Sequence, residues 1–196
     1  MKIIRKMYDW VLHWAETPYA IPALFILSFA EASFFPVPPD ILLIALALSK
    51  HEKAFKFALI CSIASILGGI TGYAIGWGLW GVVSDFFFNN IPGFSHDGFN
   101  YVKTLYDEYN FWIVFTAGFT PIPYKIITIS AGVFGINFFV FVLASVISRT
   151  ARFFLVAGLI YKFGPTIRDF IDKYFNWLSI GFIVLLIGSY FIFKLL

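Results

Sequence analysis

The sequence predicts an all-α polytopic membrane protein. It reads as an inverted repeat with two opposed re-entrant hairpins broken at proline, long transmembrane helices and interfacial amphipathic helices. Three observations predict this. The 196 residues are 60% hydrophobic and 13% charged, whereas soluble domains carry about a quarter charged residues. Two apolar stretches are each interrupted by a Pro-x-Pro motif, Pro36-Val37-Pro38 and Pro121-Ile122-Pro123. The polar segments at Lys2/Arg5/Lys6, Lys50/Lys53/Lys56 and Lys162/Arg168/Lys173 are basic and the interval 84–110 is acidic, a segregation that suits the two sides of a membrane.

The first repeat covers residues 1–83 of a single 1–196 membrane domain. Ile3, Ile4, Met7, Val11 and Trp14 recur at helical spacing, with Lys2, Arg5, Lys6, Asp9 and His13 on the other face, the pattern of a helix lying in the headgroup plane. Asp9, His13 and Glu16 interrupt what would be the apolar region of a signal peptide, so the segment reads as mature protein. Residues 19–49 form the first apolar stretch, and its second half, Ile41 to Ser49, has only nine residues. Nine helical residues cannot cross about 30 Å of hydrocarbon. A kinked single span would put the basic groups Lys2/Arg5/Lys6 and Lys50/Lys53/Lys56 on opposite sides. A re-entrant hairpin turning at Pro36 and Pro38 keeps both cytoplasmic. Residues 57–83 then cross fully, with Gly68, Gly72 and Gly76 at four-residue spacing. Small residues at that spacing admit another helix closely, either within the chain or in a homo-oligomer.

Residues 84–161 repeat the design in the opposite direction. The polar interval 84–110 carries Asp85, Asp97, Asp107 and Glu108 against Lys103, placing it on the far side, and Phe99, Val102, Tyr106 and Tyr109 predict a second interfacial helix in it. Residues 111–134 make the second hairpin, turning at Pro121 and Pro123, and 136–161 cross back. Residues 162–196 supply an amphipathic connector, with Lys162, Arg168 and Lys173, and a final span flanked by Trp177 and Lys194. Opposed broken helices in an inverted repeat are a transporter architecture, and the broken segments point to the substrate site.

Five charges fall inside apolar segments: Glu31, Asp40, Lys125, Arg149 and Arg152. Each costs roughly 2.5–3.5 kcal/mol at the centre of a bilayer, so each should face protein, water or another charge. Arg149 and Arg152 share a helix face with Ser145 and Ser148. If the charges only pinned the hairpins together, acids and bases would balance; two acids against three bases leave one cation for an anionic headgroup. Arg149, Arg152 and Lys125 are therefore the candidates for binding it, since guanidinium matches phosphate oxygens. Glu31 and Asp40 are the candidates for proton coupling. Asp40 and Lys125 occupy matching positions in the two motifs, so they are expected to pair when the site is empty.

Several classes are excluded. The net charge of +3 is spread out, unlike a nucleic-acid footprint. With one cysteine, Cys61, and three scattered histidines, no metal site or cofactor is expected. No nucleophile motif accompanies the acids, so an enzyme is not expected. The rival functions are a proton-coupled small-solute exporter and a non-transport factor of membrane homeostasis or assembly.

Glu31-x4-Pro36-x-Pro38-x-Asp40, then Gly68-Gly69-x-x-Gly72-Tyr73-x-x-Gly76, then Phe119-Thr120-Pro121 with Ala131-Gly132 resemble the DedA family. This family is also called the SNARE-associated or VTT domain family, and the likeness is to its YqaA-like branch. The resemblance covers residues from about 15 to 165. It implies a multi-pass protein of the bacterial inner membrane with two opposed re-entrant hairpins and a cytoplasmic N-terminus. It also implies a flippase-type activity on polyprenyl phosphate or phospholipid, linked to protons through embedded acids and arginines; eukaryotic relatives are lipid scramblases. Many members carry Arg-Phe-x-Pro-x-x-Arg in the second hairpin. Here Gly118 stands at the first arginine, Tyr124 at the second and Lys125 one place later, which leaves Arg149 and Arg152 to supply the missing positive charge.

Overall fold

A computed structural model describes residues 17, 19–35, 38–90, 95–120 and 123–164, and among these the chain is helical between short turns, without a strand. In order the helices are α1 (Ala20–Ser33), α2 (Asp40–Ser49), a 3₁₀ turn (His51–Lys53), α3 (Ala54–Asn90), α4 (His96–Phe119), α5 (Tyr124–Val133) and α6 (Phe138–Gly164). The expected interfacial helix before Thr17, the connector and span after Gly164, and Pro36 and Pro121 lie outside the described residues.

The helix ends follow local chemistry. Proline has no N–H to continue a helical ladder, and α1 stops just before Pro36, with the Phe34 and Phe35 N–H groups both donating to Ala30 O. Buried Pro39 and exposed Pro123 stand immediately before α2 and α5, where the missing N–H costs little. Ser95 caps α4 by accepting from Gly98 N at 3.1 Å. Between α5 and α6 the chain turns at Gly135, whose φ of 62° favours glycine, and Asn137 Oδ1 accepts from the N–H groups of Phe139 and Val140.

Among the described residues two helices, α6 and α3 with its leading 3₁₀ turn, are long and apolar enough to cross a membrane. At 37 residues α3 extends about 55 Å, well beyond about 30 Å of hydrocarbon. The expected span 57–83 is thus the middle of a longer helix. Its last turns stay helical because their aromatic rings find partners on α4: Trp80 stacks on Phe99 at 5.0 Å and Phe88 on His96 at 3.7 Å. The expected interfacial helix of the polar interval and the first arm of the second hairpin are the two halves of α4, which meet at a kink where Tyr109 has non-helical dihedrals (φ −108°, ψ 15°). Of the predicted stripe, Phe99 and Tyr106 turn inward onto Phe134 at 4.9 and 5.0 Å, while Val102 and Tyr109 are exposed.

Among the described residues the core has two apolar clusters. Ala20, Leu24 and Leu27 of α1 join Leu43, Leu46 and Ala47 of α2, Ala54 and Phe57 of α3, and Phe153 and Ile160 of α6. The second joins Ala32, Tyr106, Val114, Tyr124, Ala131, Phe141 and Ala144. Gly68, Gly72 and Gly76 of α3 are each closely approached from within the chain. A Cβ on Gly68 would strike the Phe29 carbonyl, one on Gly72 the Thr128 hydroxyl, and one on Gly76 the Ile129 carbonyl; Gly132 of α5 meets the Tyr73 carbonyl in return. The run therefore seats α1 and α5 side by side on α3, which brings the two breaks together.

Candidate functional site

The second break ends α4 at Thr120 and restarts the chain at Pro123, and α5 doubles back so that Phe134 reaches Tyr106. The last carbonyls before each break are left without a helical donor, and each receives a cation from another element. Lys125 Nζ, in the first turn of α5, donates to Phe35 O at 3.2 Å. Arg152 of α6 donates one NH group to Thr120 O at 2.6 Å. The same guanidinium grips Asp40, the first residue of α2, through Nε at 3.3 Å and the other NH group at 2.9 Å. Asp40 thus pairs with Arg152, correcting the expected Asp40–Lys125 pair. The reason is reach: the polar face of α6 runs past both breaks, whereas Lys125 is held by the carbonyl of Phe35.

Deeper in, Arg149 donates to Glu31 at 2.8 Å and from Nε to Ser65 at 2.6 Å. Its guanidinium lies 4.8 Å from the ring centroids of both Tyr124 and Phe153. Two cation–π contacts thus add to the two hydrogen bonds that grip the cation. Tyr124 is held in place by its hydroxyl, which donates to Ser145 Oγ at 2.5 Å, while Ser145 donates to Phe141 O at 2.7 Å. Thr128 Oγ1 donates across to Ala32 O at 3.1 Å, tying α5 to the end of α1. Four of the five embedded charges therefore form two ion pairs that join α1 and α2 to α6. The side chains of Arg149 and Glu31 are 3% and 12% exposed, those of Arg152 and Asp40 19% and 18%, so the second pair has the greater access to its surroundings.

The predicted residues Glu31, Asp40, Lys125, Arg149 and Arg152 all converge on this junction, with Pro38 and Pro123 at its edges. Gly68, Gly72 and Gly76 form the seat beneath it. Sequence reasoning missed Ser65, Tyr124, Phe153 and the Thr120 carbonyl. Ser65 had a signal, since it precedes Gly68 by one helical turn on the same face; Tyr124 adjoins the Pro123–Lys125 motif. Among the described residues no group of three His, Cys, Asp or Glu side chains could hold a metal ion.

Long apolar helices, proline-broken shorter ones and arginines buried against carboxylates define an all-helical, membrane-associated protein with a charged internal junction. More particularly, the chain belongs to the VTT domain family, whose domain it matches over residues 35–162. It is 39% identical over 196 residues to a protein of Haemophilus influenzae described as "Uncharacterized protein", covering 99% of this chain and 100% of that one. It is 37% identical over 182 residues to an uncharacterized homologue from Histophilus somni, covering 90% and 93% of the two chains. No solved structure matches it.

Proposed function

We propose that the protein is a translocase that carries a lipid or lipid-linked phosphate, of the polyprenyl phosphate or phospholipid kind, across the cytoplasmic membrane, with Glu31 and Asp40 coupling the movement to protons. One observation carries this reading: three cations and two acids converge where two broken helices meet, leaving an excess positive charge at the junction that holds the partly open Arg152–Asp40 pair. Broken helices with free backbone ends and a fixed charge are the parts from which secondary transporters build anion sites. A headgroup would enter at the junction while its acyl or prenyl tail stays among the exposed apolar side chains outside.

The same contacts support two opposed re-entrant hairpins in an inverted repeat. His51 and Phe55 lie against Tyr161, at 6.2 and 5.4 Å, so Lys50, Lys53 and Lys56 share an end with Lys162. The start of α1 and the end of α2 belong to the cluster at that end. The acidic residues Asp85 and Asp97 lie where α3 meets α4 at the opposite end of α3. By the positive-inside tendency the lysine end is cytoplasmic, so the first hairpin enters from the cytoplasm, the second from outside, and the N-terminus is cytoplasmic.

Reconstitution of the full chain in vesicles tests the reading. The assay follows transfer between leaflets of a polyprenyl phosphate, phosphatidic acid and phosphatidylcholine, with and without a pH gradient. Acceleration of a phosphate-headed lipid that depends on the gradient is expected. Solute flux without lipid transfer would replace this reading with the exporter, and no flux of either kind with the non-transport factor.

A further inference from the structure

The two ion pairs are built differently. Arg149 is enclosed, with two rings at 4.8 Å, hydrogen bonds to Ser65 and Glu31, and a side chain only 3% exposed. An anion could reach it only by displacing an aromatic ring or by entering a dry interior alongside Glu31, and burying an uncompensated charge is prohibitive. Arg152 is partly open, and its three nitrogens hold two separate elements: Asp40 at the start of α2 and Thr120 O at the end of α4. A phosphate presents oxygens with the same spacing as a carboxylate and more charge, so it competes for the same fork. It would also favour the neighbouring first turn of α5, where Lys125 adds its charge to the positive end of the helix dipole. Asp40 would not be stranded, because it remains in the first turn of α2, where a negative charge is favoured.

We infer that Arg149–Glu31 is a permanent strut, whereas Arg152 is a latch between the two broken segments that a phosphate-bearing lipid opens by displacing Asp40. The inference rests on the lipid-phosphate reading and, within it, narrows proton coupling to Asp40, because Glu31 stays paired with Arg149 in the strut. Asp40 is then a built-in competitor for the substrate site, and its removal has an effect opposite in sign to removal of the arginine.

The test uses the full chain in nanodiscs, with farnesyl phosphate as the probe and farnesol and inorganic phosphate as its apolar and soluble halves. Binding is measured for the wild type, Arg152→Gln, Asp40→Asn and Glu31→Gln. Farnesyl phosphate should bind more tightly than either half. Asp40→Asn should bind it about tenfold more tightly and Arg152→Gln at least about tenfold more weakly, each factor of ten being about 1.4 kcal/mol; Glu31→Gln should give no gain. Spin labels at Phe34→Cys and Phe119→Cys, both exposed in the wild type, in a Cys61→Ser background, read the separation of the breaks independently of binding. Farnesyl phosphate should lengthen it in the wild type, and Arg152→Gln should show the longer distance with no ligand. Tighter binding by Asp40→Asn with those distances supports the latch. Wild-type binding of farnesyl phosphate with Asp40→Asn equal to or weaker than wild type overturns the latch and leaves the lipid-phosphate reading intact. No preference for farnesyl phosphate over farnesol in either protein overturns both.

Discussion

Glu31→Gln isolates the strut. Arg149 is 2% exposed and its only carboxylate partner among the described residues is Glu31, at 2.8 Å, so the substitution leaves a buried cation held by Ser65, two rings and an amide. Breaking a buried pair from one side costs about 3–5 kcal/mol. In a chain of this size each kcal/mol moves Tm by about 2–4 °C, so Tm should fall on the order of 10 °C. Arg149→Met alone leaves the carboxylate unpaired and should also destabilise. The double variant Glu31→Gln/Arg149→Met removes both charges and leaves methionine against the Tyr124 and Phe153 rings, an environment that suits a thioether. It should therefore be more stable than the sum of the single losses implies, with a coupling of about 2 kcal/mol. Thermal unfolding in nanodiscs, followed by tryptophan fluorescence, measures all four proteins of the cycle. Additive losses, with coupling near zero, would refute the strut and the reasoning behind it.

Three further outcomes follow from the packing. Gly76→Ala places a methyl group on the Ile129 carbonyl and should cost about 1–3 kcal/mol; Gly78→Ala, with nothing near, should be neutral or gain up to about 1 kcal/mol of helix propensity, and the same unfolding assay separates them. Tyr124→Phe keeps the ring beside Arg149 and loses only the bond to Ser145, for about 1 kcal/mol, so Tyr124→Leu should be clearly the more damaging when both are compared by Tm. Cysteines at Lys50 and Lys162 should react with an impermeant maleimide from the same side of sealed vesicles and one at Lys103 from the other; labelling of Lys50 and Lys103 from one side would contradict the assigned orientation.

Much of the site was legible because charge inside an apolar segment has few innocent uses. Glu31, Asp40, Lys125, Arg149 and Arg152 were visible as anomalies, and Pro-x-Pro located both breaks. The glycine spacing announced close packing, though only the contacts show that α1 and α5, within the same chain, occupy it. Pairing was not legible. Glu31–Arg149 and Asp40–Arg152 join residues 118 and 112 positions apart, and positional symmetry between the motifs favoured Asp40–Lys125 instead. A backbone carbonyl such as Thr120 O leaves no trace in a sequence as a ligand. The end of α3 is not legible, because Ser84 to Asn90 is polar enough to leave hydrocarbon and yet nothing in it stops a helix, whereas the joint placed before Phe111 coincides with the kink at Tyr109. In the sequence nothing sets Phe153 apart from the other membrane aromatics, and only the Arg149 guanidinium beside them gives it and Tyr124 a role.

The central claim is that a phosphate-headed lipid moves across the membrane by way of Arg152. Inter-leaflet transfer of a polyprenyl phosphate in vesicles, measured side by side for the wild type, Arg152→Lys and Arg152→Gln at matched amounts of folded protein, tests it most directly. Lysine keeps the charge but not the fork, so the expected order is wild type, then lysine at a reduced rate, then glutamine at the protein-free rate. Transfer by Arg152→Gln at the wild-type rate would contradict the account.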